Sequence, residues 1–259
     1  MMEDKPWVDY LGLGIRSEHI PALTTILDEI DEFPLCDDDD PCTWMPMHAW
    51  RALAQLQAET ALPTMVKLLN LIDNEDDEIV QVDLPAALSR MCPAAIPHLI
   101  EFLEIKSNGL WARLSAAEAM QVAALDKPEL RSTVVATLTS TLAGYASADE
   151  IFNTLLVDLL MKLQAVEAAH LVEQVFKAGK IDEMIYGDWE DFQVGVGLLQ
   201  ERLTSRALHQ VSADSFQDVF FDQRDILPDE PGKKKEDSKT KKKRKLETES
   251  RKVNRKKKK

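Results

Sequence analysis

Three residues with metal-binding side chains, Cys36, Cys42 and His48, follow one another at intervals of six, and residues 37–40 between the cysteines are all aspartate. Thiolate and imidazole ligands suit zinc, whereas carboxylates suit a hard divalent cation. Structural zinc sites usually contain a pair of closely spaced cysteines, and calcium loops alternate carboxylates around a central glycine, so the spacing fits neither well. The sequence therefore favours a solvated acidic insertion over residues 33–43 and predicts no metal and no cofactor, with a zinc site as the alternative.

Three histidines, His48, His98 and His170, stand at related positions in successive parts of the chain. A catalytic histidine needs a nucleophile and an orienting partner, and no Cys, Ser or paired carboxylate recurs beside these three. Trp50 and Trp111 fall on apolar helical faces and are expected in the core. We therefore predict no catalytic residue and a protein that is not an enzyme.

The pattern of apolar residues over 45–71, which include His48 and Trp50, predicts two short amphipathic helices folded back on each other. Pro46 and Pro63 fall in the first turn of each helix, where a missing N–H costs little. Each helix keeps an apolar face too wide for one partner to cover, so further pairs are needed. The apolar side chains with helical spacing are Met47, Trp50, Leu53 and Ala54 in the first half and Leu62, Met65, Val66 and Leu69 in the second.

The same design recurs along the chain. The tripeptide at residues 95–97 (Ala-Ile-Pro) echoes the one at residues 61–63 (Ala-Leu-Pro), 34 residues earlier. A period in the thirties made of helix pairs is typical of an α-solenoid, in which each repeat buries its apolar faces against its neighbours. We therefore predict an all-α solenoid of about five helix pairs, with a non-repeating helical bundle as the alternative. The later predicted helices are residues 80–90, 94–105, 109–125, 127–142, 151–163 and 166–178.

The repeated pattern resembles HEAT repeats, particularly the short HEAT-like repeats of phycobilisome lyases. The resemblance lies in the A-x-x-A-L-x-x-L motif that begins at Ala49, followed by Ala-Leu-Pro or Ala-Ile-Pro. Residues 14–21, 47–53 and 187–191 also resemble a group of uncharacterised bacterial HEAT-repeat proteins, some of which carry a cysteine-rich SEC-C zinc motif that is absent here. The likeness covers roughly residues 7–200 and implies an armadillo-like helical fold.

Charge is distributed unevenly along the chain. Residues 233–259 carry a charge of +12, and residues 1–232 carry −26. The lysine-rich segment has too few apolar residues to fold, so a disordered tail is expected. It offers weak contact with polyanions, and one basic run resembles a nuclear-localisation signal, which would apply if the source were eukaryotic. The run is Lys241, Lys242, Lys243, Arg244 and Lys245.

Composition favours the cytoplasm. The chain shows no secretory signal, no apolar run long enough to span a membrane, and three cysteines without a disulfide framework. We expect a helical-repeat domain over residues 1–202, with an N-terminal cap at about 7–32, then a terminal helix or linker over 203–232 and the tail over 233–259. Residues 70–78 predict an acidic loop between repeats.

These features predict a non-enzymatic interaction scaffold that holds an extended or helical segment of a partner protein. The candidate inner-face residues, chosen because they lie off the apolar stripe, are Lys67, Asn70, His98 and Glu101. Trp189 belongs to an aromatic and acidic stretch that could anchor a basic partner or could cap the last repeat. A bilin lyase or isomerase and a nucleic-acid binder that acts through the tail are the alternatives.

Overall fold

The structure of this protein is a computed structural model that describes residues 7–30, 44–75 and 78–204. These residues form helices joined by short turns and contain no β-strand, which confirms the predicted all-α fold. None of the described helices has the length and apolar character needed to cross a membrane. The α-helices, in chain order, are α1 (Ile20–Asp28), α2 (Met45–Gln55), α3 (Leu62–Leu68), α4 (Asn70–Glu75), α5 (Glu78–Arg90), α6 (Ile96–Glu104), α7 (Leu110–Asp126), α8 (Arg131–Leu142), α9 (Glu150–Lys162), α10 (Ala169–Lys177) and α11 (Trp189–Gly195).

The helices begin and end close to the positions that the apolar spacing predicts. α2 and α3 correspond to the two halves of residues 45–71, and Pro46 and Pro63 lie in their first turns as expected. Trp50 and Leu53 of α2 are fully buried, as the pattern predicted. The apolar stripe of each helix thus decides which face enters the core.

The helices pack in two layers whose order follows the sequence. In the first layer α2, α5, α7, α9 and α11 lie side by side, and in the second α1, α3, α6 and α8 do so. The layers join where α1 packs on α2, α3 on α5, α6 on α7, α8 on α9 and α10 on α11. This nearest-neighbour packing is compatible with an α-solenoid.

Hydrogen bonds between the repeats have a characteristic separation in sequence. Gln57 Nε2 donates to Arg90 O, 33 residues later, and Gln164 Nε2 donates to Gly195 O, 31 residues later. Arg131 Nε donates to Leu163 O, 32 residues later. Further bonds of this kind, with separations up to 39 residues, join Trp50 and Arg51 to Asp83, Thr64 to Asp28, Trp111 and Ala112 to Asp73, and Lys127 to Cys92.

Gln57 and Gln164 also end their helices in the same way. Each follows the last turn of a first-layer helix with a left-handed backbone, at φ of 51° and 54°. Glycine is the usual residue in this conformation, because a side chain there is sterically costly. The cross-repeat bonds from the two amides help to hold this conformation, and the Leu-Gln-Ala sequence at 56–58 and 163–165 marks both sites.

The prediction of a loop over residues 70–78 was wrong, because α4 begins at Asn70. Ile72 is buried, and Asp73 accepts hydrogen bonds from the backbone N–H groups of Trp111 (3.2 Å) and Ala112 (2.7 Å). Asp73 therefore caps the N-terminus of α7 from a distant part of the chain. Gly109 makes room for this contact, since a Cβ there would lie 2.1 Å from the carboxylate carbon.

Candidate functional site

An open groove separates α3 from α6 in the second layer, and we call it the α3–α6 groove. Its volume is about 290 Å³. All four residues that the sequence proposed for an inner binding face line it. The complete lining is Pro63, Val66, Lys67, Asn70, His98, Glu101, Phe102, Ile105 and Asn108.

The floor of the groove is apolar and its rim is polar. Val66 and Phe102 are buried beneath it, whereas the side chain of Ile105 is 44% exposed. Lys67 on α3 and Glu101 on α6 are both exposed and place opposite charges on the two walls. Such a site can bury an apolar group while its rim selects the polar groups on either side.

Repeat geometry brings the four predicted residues together. Lys67 and Glu101 are each the sixth residue of their helix, and α3 and α6 lie side by side. Thr64 Oγ1 donates a 2.9 Å hydrogen bond to Asp28 Oδ1, which ties α3 to α1. Asn108 Nδ2 donates to Phe102 O at 2.8 Å and fixes the turn after α6. The α3 wall is therefore held by a bond outside the groove, and the turn after α6 by a bond between two of the lining residues.

The lining of the α3–α6 groove contains one histidine, His98. It contains no serine, threonine or cysteine that His98 could activate. The thiol of Cys92 is buried elsewhere, and burial raises its pKa to about 11, so it is a poor nucleophile at neutral pH.

His48 has a partner that the zinc interpretation did not anticipate. Its Nδ1 lies 2.6 Å from the hydroxyl oxygen of Tyr10. Burial lowers the pKa of His48 and raises that of Tyr10, so both are neutral near pH 7. Cys36 and Cys42 lie outside the described residues. Within those residues, no group of three or more His, Cys, Asp or Glu side chains could hold a metal ion.

A cluster around Asp83 joins α2, α5 and the N-terminal segment, and sequence reasoning missed it. Asp83 accepts a 2.5 Å hydrogen bond from Trp50 Nε1 and pairs with the guanidinium of Arg51. The guanidinium groups of Arg51 and Arg90 lie 5.1 and 3.8 Å from the centre of the Trp7 ring. The separation of Arg51 from Asp83 by nearly one repeat was the signal available in the sequence.

Trp189 lies in an aromatic cluster at the last described helix. It stacks on Phe192 at 5.4 Å between ring centres and is half-buried. The neighbouring carboxylates of Asp188 and Asp191 are bound by Arg202, at 2.5 Å in each case. Asp188 also caps α11, because its side chain accepts a hydrogen bond from the backbone N–H of Asp191. The tryptophan thus packs within this end of the protein, and the nearby acidic groups bind an arginine of the same chain.

The basic run at residues 241–245 lies outside the described residues. The sites that the structure describes therefore belong to the helical layers alone.

The fold and the groove define a class: an all-α protein with helices in two ordered layers and an open groove along one of them. Residues 13–223 match the profile of a family described as "Protein of unknown function (DUF1186)", and the chain belongs to that family. No curated protein and no solved structure matches it.

Proposed function

We propose that this protein is a non-enzymatic interaction scaffold whose α3–α6 groove binds a segment of a partner protein. The observation that carries the proposal is the exposed side chain of Ile105 at the edge of an apolar floor, between walls of opposite charge. An apolar surface left open in this way gains free energy when a partner covers it.

The size of the groove favours a peptide segment as its occupant. At about 290 Å³ it is smaller than most pockets for complete small molecules, and it suits one or two apolar side chains of a helix or an extended strand. Lys67 and Glu101 would pair with opposite charges on the segment and so set its direction.

The proposal includes the context inferred from the sequence. The repeats are of the HEAT type, the protein acts in the cytoplasm, and the basic segment over residues 233–259 adds weak contact with polyanions. Nearest-neighbour packing and the recurring hydrogen-bond separation support the repeat assignment.

The test is to select peptides from a random display library on the full-length protein and measure their affinity for two matched variants. Ile105→Asp places a charge in the groove, whereas Val122→Asp changes an apolar residue of similar exposure, 47%, that lies outside the groove. We expect about a tenfold or larger loss of affinity for Ile105→Asp, because an apolar contact is replaced by a desolvated charge. Val122→Asp should bind as the wild type does.

Equal loss in the two variants, or no enriched peptide, would contradict the proposal. A new absorption or fluorescence band when the protein is mixed with a linear tetrapyrrole would instead favour the bilin lyase alternative.

A further inference from the structure

A second and larger groove, the α6–α8 groove, runs along the same layer. Its volume is about 750 Å³, and it is bounded by the end of α6, by α7 and by one face of α8. The two grooves share α6, because Phe102 lines the first and Leu103 lines the second, and the adjacent Ile105 and Lys106 line them in the same order. A chain crossing the end of α6 would therefore meet both.

The wall formed by α8 consists of small side chains, most of them hydroxyl-bearing. Thr137 and Thr141 donate their hydroxyl protons to the backbone oxygens of Thr133 and Thr137, each at 3.0 Å. Ser132 and Ser140 also line the groove, and neither side chain has a hydrogen bond to another described residue. Their hydroxyl groups are available to donate to a ligand, and the small side chains allow a peptide backbone to approach closely.

Arg113 lies at the base of this groove and is held in place. Its Nε donates to Leu103 O at 2.8 Å, and its guanidinium carbon lies 4.3 Å from the centre of the Phe152 ring. Neither contact neutralises the charge, and no carboxylate of the described residues pairs with it. Burial accordingly lowers the pKa of Arg113.

Three of the other described arginines have the carboxylate partner that Arg113 lacks. Arg51 pairs with Asp83, Arg131 pairs with Glu167, and Arg202 pairs with carboxylates around α11. A half-buried guanidinium without a carboxylate presents N–H groups whose natural partners are the oxygens of a carboxylate or a phosphate.

The charge around the groove favours an anion on a protein over a nucleic acid. Lys106 adds a second positive charge at the rim, and Glu104 adds one negative charge. Residues 1–232 together carry −26, which repels a polyanion at long range. A single anionic side chain on a peptide experiences less of that repulsion and can still reach the local cations.

We infer that the α6–α8 groove binds an anionic side chain, a carboxylate or a phosphate, on the same protein segment that occupies the α3–α6 groove. The inference rests on the proposed function for the identity of the segment. Arg113 supplies a fork of N–H donors, Lys106 supplies a second cation, and Ser132 and Ser140 supply hydroxyl donors.

The probe is an array of random decapeptides, each made in three forms that differ only in a central serine, aspartate or phosphoserine. Full-length wild-type protein should bind the aspartate and phosphoserine forms about tenfold better than the serine form, since charge-assisted hydrogen bonds are lost in the latter. Comparison of the two anionic forms distinguishes a carboxylate from a phosphate ligand. Arg113→Gln should abolish the preference, and Arg113→Lys should restore part of it.

Two further variants show whether a lost preference comes from the missing cation or from misfolding. Lys106→Gln changes an exposed side chain and should reduce the preference without altering the melting temperature. Lys177→Gln removes an exposed cation on α10, outside both grooves, and should leave the preference unchanged.

The outcomes separate this inference from the proposed function. Equal binding of the three forms, together with a loss in Ile105→Asp, would overturn the inference and leave the proposed function standing. A preference that disappears in Arg113→Gln while Ile105→Asp has no effect would support the anion site and overturn the role of the first groove. An array that binds nowhere would overturn both. Single-stranded oligonucleotide binding that is lost in Arg113→Gln would overturn the assignment to a peptide.

Discussion

The α3–α6 and α6–α8 grooves are built on helices of the same layer, one repeat apart, yet their linings differ in character. The fourth residue of each of these three helices is fully buried and apolar, so the helices present the same face to the core. These residues are Met65, Leu99 and Val134.

The second and sixth residues of the same helices account for the difference. The second residue is proline in α3 and α6 but Ser132 in α8, and the sixth is Lys67 or Glu101 in the first two helices but Ala136 in the third. Pro63, Lys67 and Glu101 line the first groove beside its apolar floor, whereas the smaller Ser132 and Ala136 line the second, which has Arg113 at its base. The three helices thus share a buried core position and differ at the neighbouring positions that line the two grooves.

Replacing Leu99 should have the largest effect, because α6 forms a wall of both grooves. Leu99→Ala should lower the free energy of unfolding by about 2 to 5 kcal/mol, measured by urea denaturation, and weaken binding in both grooves. Leu160→Ala removes an equally buried leucine from α9 and should cost a similar amount while leaving amide exchange in α6 nearly unchanged. Faster exchange in both helices of both variants would contradict repeat-by-repeat stability.

Removing the Asp73 cap should disturb the α6–α8 groove and leave the α3–α6 groove intact. Asp73→Ala should cost about 1 kcal/mol of stability and speed amide exchange in the first turn of α7, just before Arg113. The α6–α8 groove should lose affinity while the α3–α6 groove keeps it. Asp126→Ala, at the opposite end of α7, is the control and should not loosen that turn. Unchanged exchange at residues 110–113 would show that the cap is dispensable.

Glu118, a residue of α7 that lines neither groove, should make the stability of the protein depend on pH. Burial raises its pKa from 4.5 to about 7; Lys162 opposes the shift and Asp158 adds to it. Between these values the folded protein keeps a proton that the unfolded chain releases. The contribution of the neutral Glu118 carboxyl group to the free energy of unfolding is therefore complete below about pH 4.5, and it is lost as the pH rises through about 7.

Glu118→Gln cannot ionise, so it should unfold at the same denaturant concentration as the wild type near pH 4. At pH 8 it should be more stable by about 3 kcal/mol, since each unit of the difference in pKa between the folded and unfolded states corresponds to about 1.4 kcal/mol. Glu129→Gln removes an exposed carboxyl group and serves as the control for the change in net charge. If Glu118→Gln had the same free energy of unfolding as the wild type at pH 8, the pKa of Glu118 would not be raised by burial.

The smallest effect that we expect is a difference between the two grooves in how strongly salt weakens peptide binding. Raising the salt concentration from about 50 to 500 mM should weaken binding of an anionic peptide about two- to fourfold, because screening acts on its contact with Arg113 and Lys106. The serine form keeps the apolar contact with Ile105 and loses only the screened pairs with Lys67 and Glu101, so its affinity should fall less than that of the anionic form. Titrations of both peptide forms measure the difference, and equal salt dependence would remove the distinction between the grooves.

The sequence predicted the helices well, since core residues such as Leu53 and Leu99 recur with helical spacing. Residues of the α3–α6 groove could also be chosen from the sequence, because Lys67 and Glu101 lie off the apolar stripe at matching positions of their helices. Residues of the α6–α8 groove could not be chosen in this way. The serines and threonines of α8 look like an ordinary solvated face, and the lack of a carboxylate beside Arg113 is a tertiary property. Helix α4 was missed for a related reason, because Asp73 finds its partners 38 and 39 residues further along the chain.

The hydrogen bonds of Gln57, Arg131 and Gln164 carry a consequence for how the chain is made. Each joins groups separated by only 31 to 33 residues, which keeps the relative contact order low and the loops to be closed short. Each helix pair can therefore complete its contacts once the next pair has left the ribosome, without waiting for the end of the chain. We expect folding to advance along the nascent polypeptide, with one newly made unit at a time exposing its apolar face.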